Sequence, residues 1–313
     1  MKTPSLMTRA ARFAGPENLS LIIALVLLVA LLASQSPFFF APRNLLNIGQ
    51  NMAVVGLIAV GMTMVIVSAG LDISVGSIAG CASVLAAIIS LLRVNPVVAT
   101  LATLSAFRGL AFLIAPEGKP IGVLDPTFAL LGSGRWFAFG DFPGVPVAFM
   151  ILIVVAVVGH FVMSSTVFGR AIYTMGGNPA AARLAGINLD RMKFYIYSIS
   201  GALAGLAGVI VTARTSSGQP ASGTQGLELE AITAVFLGGA ILAGGKGTIF
   251  GTMLAVTLLA TLSNGMNLLG IPTFYQLVAK GILLVVAVAI GQWRMARADR
   301  LQARATAQGT DGA

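Results

Sequence analysis

The sequence predicts an all-α fold, a polytopic bundle of membrane-spanning helices, and three observations predict it. The mean hydropathy is +0.94, with 57% hydrophobic and only 9% charged residues, which lies outside the range of soluble domains. Apolar runs close to the roughly 20 residues that a spanning helix needs recur along the whole chain. The alternating pattern of a transmembrane barrel is absent, and only helices or closed barrels satisfy the backbone in lipid.

Taken in order, residues 1–18 form a basic segment with Lys2, Arg9 and Arg12. The apolar run behind it leads to Gln35, Ser36 and Pro37 without a small-x-small cleavage site. It therefore reads as an uncleaved first helix whose N-terminus is cytoplasmic. A membrane domain over 19–292 follows, with nine apolar segments near 19–36, 52–69, 75–92, 96–115, 145–163, 195–213, 229–243, 248–268 and 274–292, the seventh short. Small residues at packing spacing, Gly76 with Gly80, Gly201 with Gly205 and Gly247 with Gly251, point to close helix contacts, within one subunit before any seam between two. The loop 116–144 carries Lys119, Asp125, Arg135 and Asp141 among Trp136 and several Phe, as an interfacial hairpin outside the cytoplasm would. Residues 293–313 form a basic tail, with four arginines between 294 and 304, and belong in the cytoplasm.

The exception to this apolar chain is the loop 164–194, whose residues 164–193 read SSTVFGRAIYTMGGNPAAARLAGINLDRMK and hold Arg170, Arg183, Arg191 and Lys193. Gly176, Gly177, Asn178 and Pro179 predict a turn, residues 180–185 a short helix, and Gly186 its stop. A short helix with its own entry and exit, held between spanning segments, is shaped to dock on something outside the membrane. Counting crossings exposes a conflict, because the basic N-terminus and this basic loop both belong in the cytoplasm while five crossings separate them.

Several classes drop out. The basic residues flank apolar runs instead of forming a stripe with aromatic residues, which excludes a nucleic-acid surface. One cysteine, Cys81, and one histidine, His160, leave no disulfide and no metal cluster, and no cofactor is implied. Gly245 and Lys246 resemble the end of a phosphate loop, but Ala240 stands where its first glycine is required and Gly247 where Ser or Thr is required. No nucleophile, base and orienting group assemble, so an enzyme is not expected.

Four ordered stretches carry a resemblance: GMTMVIVSAGLDISVGSIAG from Gly61, GGNPAAARLAGINLDRMK from Gly176, LELEAITAVFLGGAILAGGKGTIFGT from Leu227 and SNGMNLLGIPTFYQLVAKG from Ser263. Together they resemble the membrane permease of bacterial ribose-type monosaccharide ABC importers, in the branched-chain amino acid/ribose permease superfamily. The resemblance implies a multi-pass protein of the bacterial inner membrane that imports a ribose-, xylose-, arabinose- or galactose-like sugar. It implies as partners a cytoplasmic ATPase that hydrolyses the ATP, a periplasmic sugar-binding protein and a second permease copy in a homodimer. It also implies a coupling helix over 178–186, with Gly177, Asn178, Ala181, Ala182, Arg183 and Gly186 at the ATPase contact. Relatives have about ten segments, and the one expected after residue 90 is missing here, at the place where the crossing count fails. A branched-chain amino acid permease, or a shortened subunit that binds partners without transporting, are the alternatives.

Within that frame, a substrate pathway would draw on five residues. Asp72 is a carboxylate in apolar sequence beside a break in the helical pattern, so it and Ser74 stand either on a pathway or as caps of the next helix. Asn51, Asn264 and Asn267, with Gln276 as a weaker candidate, are neutral amides suited to sugar hydroxyls, and hydrogen bonds between helices are the plainer alternative. Glu228 and Glu230 fit a helix N-terminus or a contact with the binding protein.

Overall fold

The computed structural model describes residues 16–72, 96–115, 119–123, 125–219, 226–289 and 292. The chain runs through α1 (Pro16–Gln35), α2 (Pro42–Val67), α3 (Pro96–Ile114), α4 (Pro126–Ser133), α5 (Val147–Ser165), α6 (Val167–Gly177), α7 (Pro179–Leu184), α8 (Leu189–Thr215), α9 (Leu227–Leu237), α10 (Ile249–Leu268) and α11 (Thr273–Ala289). Two short antiparallel ribbons join β1 (Ile121–Gly122) to β4 (Ser217–Gly218), and β2 (Arg135–Trp136) to β3 (Val145–Pro146). Among the described residues, α1, α2, α5, α8 and α10 are long and apolar enough to span, and α3 and α11 are shorter apolar helices.

The axis of the bundle is α2, which is buried along most of its length and packs against α5, α8, α9 and α10. Its glycines permit this. A Cβ added to Gly56 would lie 2.6 Å from Leu152 of α5, and one on Gly61 would lie 2.8 Å from the Ser200 Cα of α8. At Gly61 the neighbour is backbone, so α8 approaches α2 at backbone distance, whereas at Gly56 the space is filled by the Leu152 side chain.

Several boundaries differ from the hydropathy reading. The expected segment 52–69 begins ten residues earlier, at Pro42, because Asn44, Asn47, Gln50 and Asn51 lower the hydropathy without stopping a helix. The bundle uses three of these amides directly, Asn51 at the cavity described below and two here. The Asn44 and Asn264 amides bond reciprocally at 3.1 and 2.9 Å, and Gln50 Nε2 donates to the Gly132 carbonyl at 2.8 Å. The segment 195–213 extends back to Leu189, where Asn188 accepts from the Arg191 amide and caps a polar first turn. The segment 229–243 stops at Leu237, where Gly239 at φ +94° turns the chain and the Ala240 amide closes onto the Val235 carbonyl at 3.1 Å, and Gly238 crosses α10 with its added Cβ 2.6 Å from the Gly251 backbone. Gly176 and Gly177 belong to the last turn of α6, so the central loop holds two helices instead of one.

The bundle has two distinct ends. At one, Gly245 N donates to the Val67 carbonyl at 2.8 Å, and a Cβ on Gly176 would lie 1.8 Å from the same oxygen. The end of α2, the end of α6 and the glycine-rich 238–248 turn therefore meet backbone to backbone. Tyr173 Oη seals this junction by donating to the Gly247 carbonyl at 2.8 Å, and burial pushes its phenol pKa up. Asn18 near the start of α1 sits beside Gly251, which brings the N-terminal side to the same end. The other end gathers the two ribbons, α4 and the start of α2. Asp125 caps α4 there, and the Thr127 hydroxyl and amide hold its carboxyl below the usual range.

The crossing conflict takes a definite form in this fold. Among the described residues, α1, α2, α3 and α5 precede the central loop, and α5 delivers that loop to the end where α1 starts. The basic N-terminal side and the basic loop thus share one end, as their charges require. The expected segment 75–92, with Ser74, Cys81 and Arg93, lies outside the described residues.

Candidate functional site

Two features stand at opposite ends of α2. At the ribbon end is a cavity of about 430 Å³, walled by α2, α8, α9, α10 and α11. Its apolar lining comes from residues such as Met52, Val55, Val211 and Val256. Its polar lining comes from Asn51, Arg214, Thr215, Glu230, Ser263, Asn267, Gln276 and Lys280. An apolar shell with a few convergent polar groups, at this volume, is the usual form of a small-molecule site.

The polar groups are mostly arranged in pairs across helices. Arg214 Nη2 donates to Asn51 Oδ1 at 2.7 Å, Lys280 Nζ to Glu230 Oε2 at 2.8 Å, and Gln276 Nε2 to Asn267 Oδ1 at 2.8 Å. Ser263 Oγ is buried without a hydrogen-bond partner. The Lys280–Glu230 ion pair lies within otherwise apolar sequence, where a lone charge costs about 3 kcal/mol on insertion scales. Pairing offsets that cost.

At the basic end, α7 forms a knob. Asn178 accepts from the Ala181 amide at 3.0 Å and Pro179 occupies the first turn, so the helix starts on a fixed cap. It ends at Ala185, followed by Gly186 at φ +78°, a conformation that favours glycine. Ala182 is completely buried and anchors the knob to the bundle. Leu184, by contrast, is 91% exposed at its tip. An apolar side chain so exposed on a basic surface outside the lipid suits a protein contact.

The residues singled out from the sequence separate accordingly. Asn51 and Asn267 line the cavity, as does Gln276. Asn264 does not, because its amide is engaged by Asn44. Asp72 is buried, 2% exposed, and follows the basic end of α2, whose last residue lies about 24 Å along the helix axis from Asn51. Ser74 lies outside the described residues. Gly177, Asn178, Ala181, Arg183 and Gly186 are exposed on or beside the knob, whereas Ala182 faces inward and cannot meet a partner. Glu228 is buried and Glu230 belongs to the cavity, so neither protrudes toward an incoming protein.

Sequence reasoning passed over Arg214, Lys280, Ser263 and Leu184. A signal existed for Lys280, since a cation inside an apolar run is a functional candidate by default. Leu184 had none, because hydropathy cannot tell an exposed leucine from a buried one.

Comparison with known proteins agrees with the resemblance seen in the motifs. The family model described as branched-chain amino acid transport system / permease component matches residues 78–288. The ribose import permease protein RbsC of Bacillus subtilis (strain 168) is 39% identical over 328 residues, covering 95% of this chain and 100% of that protein. The ribose import permease protein RbsC of Escherichia coli (strain K12) is 40% identical, covering 86% of this chain and 92% of its own. The L-arabinose transport system permease protein AraH of Escherichia coli (strain K12) is 33% identical, covering 88% and 90%. The 328 aligned positions exceed the 313 residues of this chain by 15, so at least that many positions of the Bacillus protein have no counterpart here. No solved structure gives a significant match.

Proposed function

The chain belongs to the branched-chain amino acid transport system / permease component family, in its ribose-type branch, and from that premise we propose that it is the membrane subunit of an ATP-driven importer of a monosaccharide. The observation that carries the reading is the placement of a polar cavity and an exposed docking knob at opposite ends of one buried helix. A transporter driven from the cytoplasm needs a site on the far side, a contact for its motor and a stiff element between them.

On this reading α7 is the coupling helix. A separate cytoplasmic ATPase grips Leu184, with Ala181, Arg183 and Gly186 around it, and hydrolyses the ATP. A periplasmic binding protein delivers the sugar to the ribbon end, and two permease copies form the transporter. Movement of α7 is passed through the backbone junction of Gly176, Gly245 and Val67 into α2, whose other half carries Asn51, Met52 and Val55 on the cavity wall. A shift of a rigid helix at one end then changes access at the other. Relatives named for ribose and for arabinose support a pentose as cargo.

The test is uptake of labelled D-ribose and L-arabinose by cells carrying the chain with its ATPase and binding protein. Leu184→Asp and Ala181→Asp are expected to lower uptake about tenfold while the protein still reaches the membrane, because both alter an exposed contact and leave the positive φ of Gly186 untouched. Normal uptake by both variants would remove α7 from the coupling role. The shortfall of aligned positions favours one other reading, a shortened subunit that binds its partners without transport. Capture of the ATPase without uptake of any sugar or branched-chain amino acid would establish it.

A further inference from the structure

The cavity holds more charge than its architecture requires. Leucine or methionine at 214, 230 and 280 would fill the same space in an apolar bundle without the cost of inserting ions. The three charged groups are also incompletely used. Arg214 spends one of its five N–H donors on Asn51, and Lys280 spends one of its three on Glu230 Oε2. Among the described residues these groups make no other hydrogen bond to a side chain. Across the same space Ser263 Oγ is buried and unpartnered, a polar atom that folding leaves without compensation.

We propose that Arg214, the Lys280–Glu230 pair and Ser263 are the sugar-holding groups of the cavity, an assignment that rests on the importer reading above. A hydroxyl both donates and accepts. The Glu230 carboxylate next to the Lys280 ammonium, and the Asn51 amide oxygen next to the Arg214 guanidinium, each offer a hydroxyl an acceptor and a donor together, and charge-assisted hydrogen bonds are the stronger kind. A neutral polyol can use these donors and acceptors through its hydroxyls alone, without a charge of its own.

The experiment uses the complete importer, permease with its ATPase and saturating binding protein, in proteoliposomes. It counts D-ribose moved per ATP hydrolysed. Arg214→Lys keeps the charge and loses the planar fork; the exchange Glu230→Lys with Lys280→Glu keeps the ion pair and reverses it. Both are expected to lower the sugar-to-ATP ratio about tenfold, the loss of one charge-assisted bond to the substrate. A ratio equal to that of the unaltered protein, whatever the absolute rates, overturns the assignment, since a purely structural role slows transport and ATP hydrolysis together. Where the exchanged pair does not assemble, Arg214→Lys alone decides between these outcomes. Failure of the unaltered importer to move any sugar strikes the importer reading itself, and so is distinguishable from failure of this assignment.

Discussion

Asn264 shows how little a residue's type says about its use. It shares the run SNGMN with Asn267, and both are amides in an apolar stretch. Three residues turn a helix through about 300°, which leaves the two about 60° apart on one broad face, far enough to meet different neighbours. Asn267 reaches the cavity and Asn264 reaches Asn44, where each amide donates to the other. Removing Asn264 leaves the buried Asn44 Oδ1 without its donor, while Asn44 Nδ2 keeps its bond to the Phe39 carbonyl at 2.9 Å. Asn264→Leu is therefore expected to destabilise the purified protein by about 1–2 kcal/mol, and the double variant with Asn44→Leu by less than the two single losses added together. Thermal unfolding in detergent measures both. A stability unchanged by Asn264→Leu, with transport abolished, would return this residue to the pathway.

Among the elements, α2 has the heaviest duty. It forms the core, contributes Asn51 to the cavity and ends in the junction beneath α7. Its contact with α8 depends on the absence of a side chain at Gly61, where the Ser200 Cα leaves no room for a Cβ. Gly61→Leu should separate α2 from α8, with an overpacking cost of about 1–3 kcal/mol or more. Gly109→Leu, on α3, is the matched control, because nothing lies within 4 Å of its added Cβ. The yield of monodisperse protein after extraction is expected to fall for the first and hold for the second. Equal yields would mean that α2 and α8 do not meet at backbone distance.

For the whole molecule the central question is sidedness, and the charge distribution and the fold give the same answer. The central loop and the start of α1 share one end, and the ribbons and the cavity share the other. With Cys81→Ala as background, a cysteine at Ala185 should resist an impermeant thiol reagent until cells are opened, and a cysteine at Leu130 should react in intact cells. Both positions are exposed, so accessibility reports side and not burial. Reaction at Ala185 in intact cells would place α7 where no cytoplasmic ATPase can reach it.

From the sequence alone follow the membrane class, the basic end, the short capped helix of the central loop and the resemblance to ribose-type permeases. These are local properties: hydropathy over a window, charge between windows, a capping residue and a stop three turns apart at most. Only the tertiary structure decided that α2 begins at Pro42, that Ala182 faces inward while Leu184 projects, and that Arg214, Glu230, Ser263 and Lys280 share one cavity. Arg214 meets Asn51 across 163 positions, and Lys280 meets Glu230 across 50. Such meetings depend on how each helix is rotated about its axis and how closely its neighbours approach. Packing sets both, through glycines such as Gly56 and Gly61 whose role no hydropathy window registers.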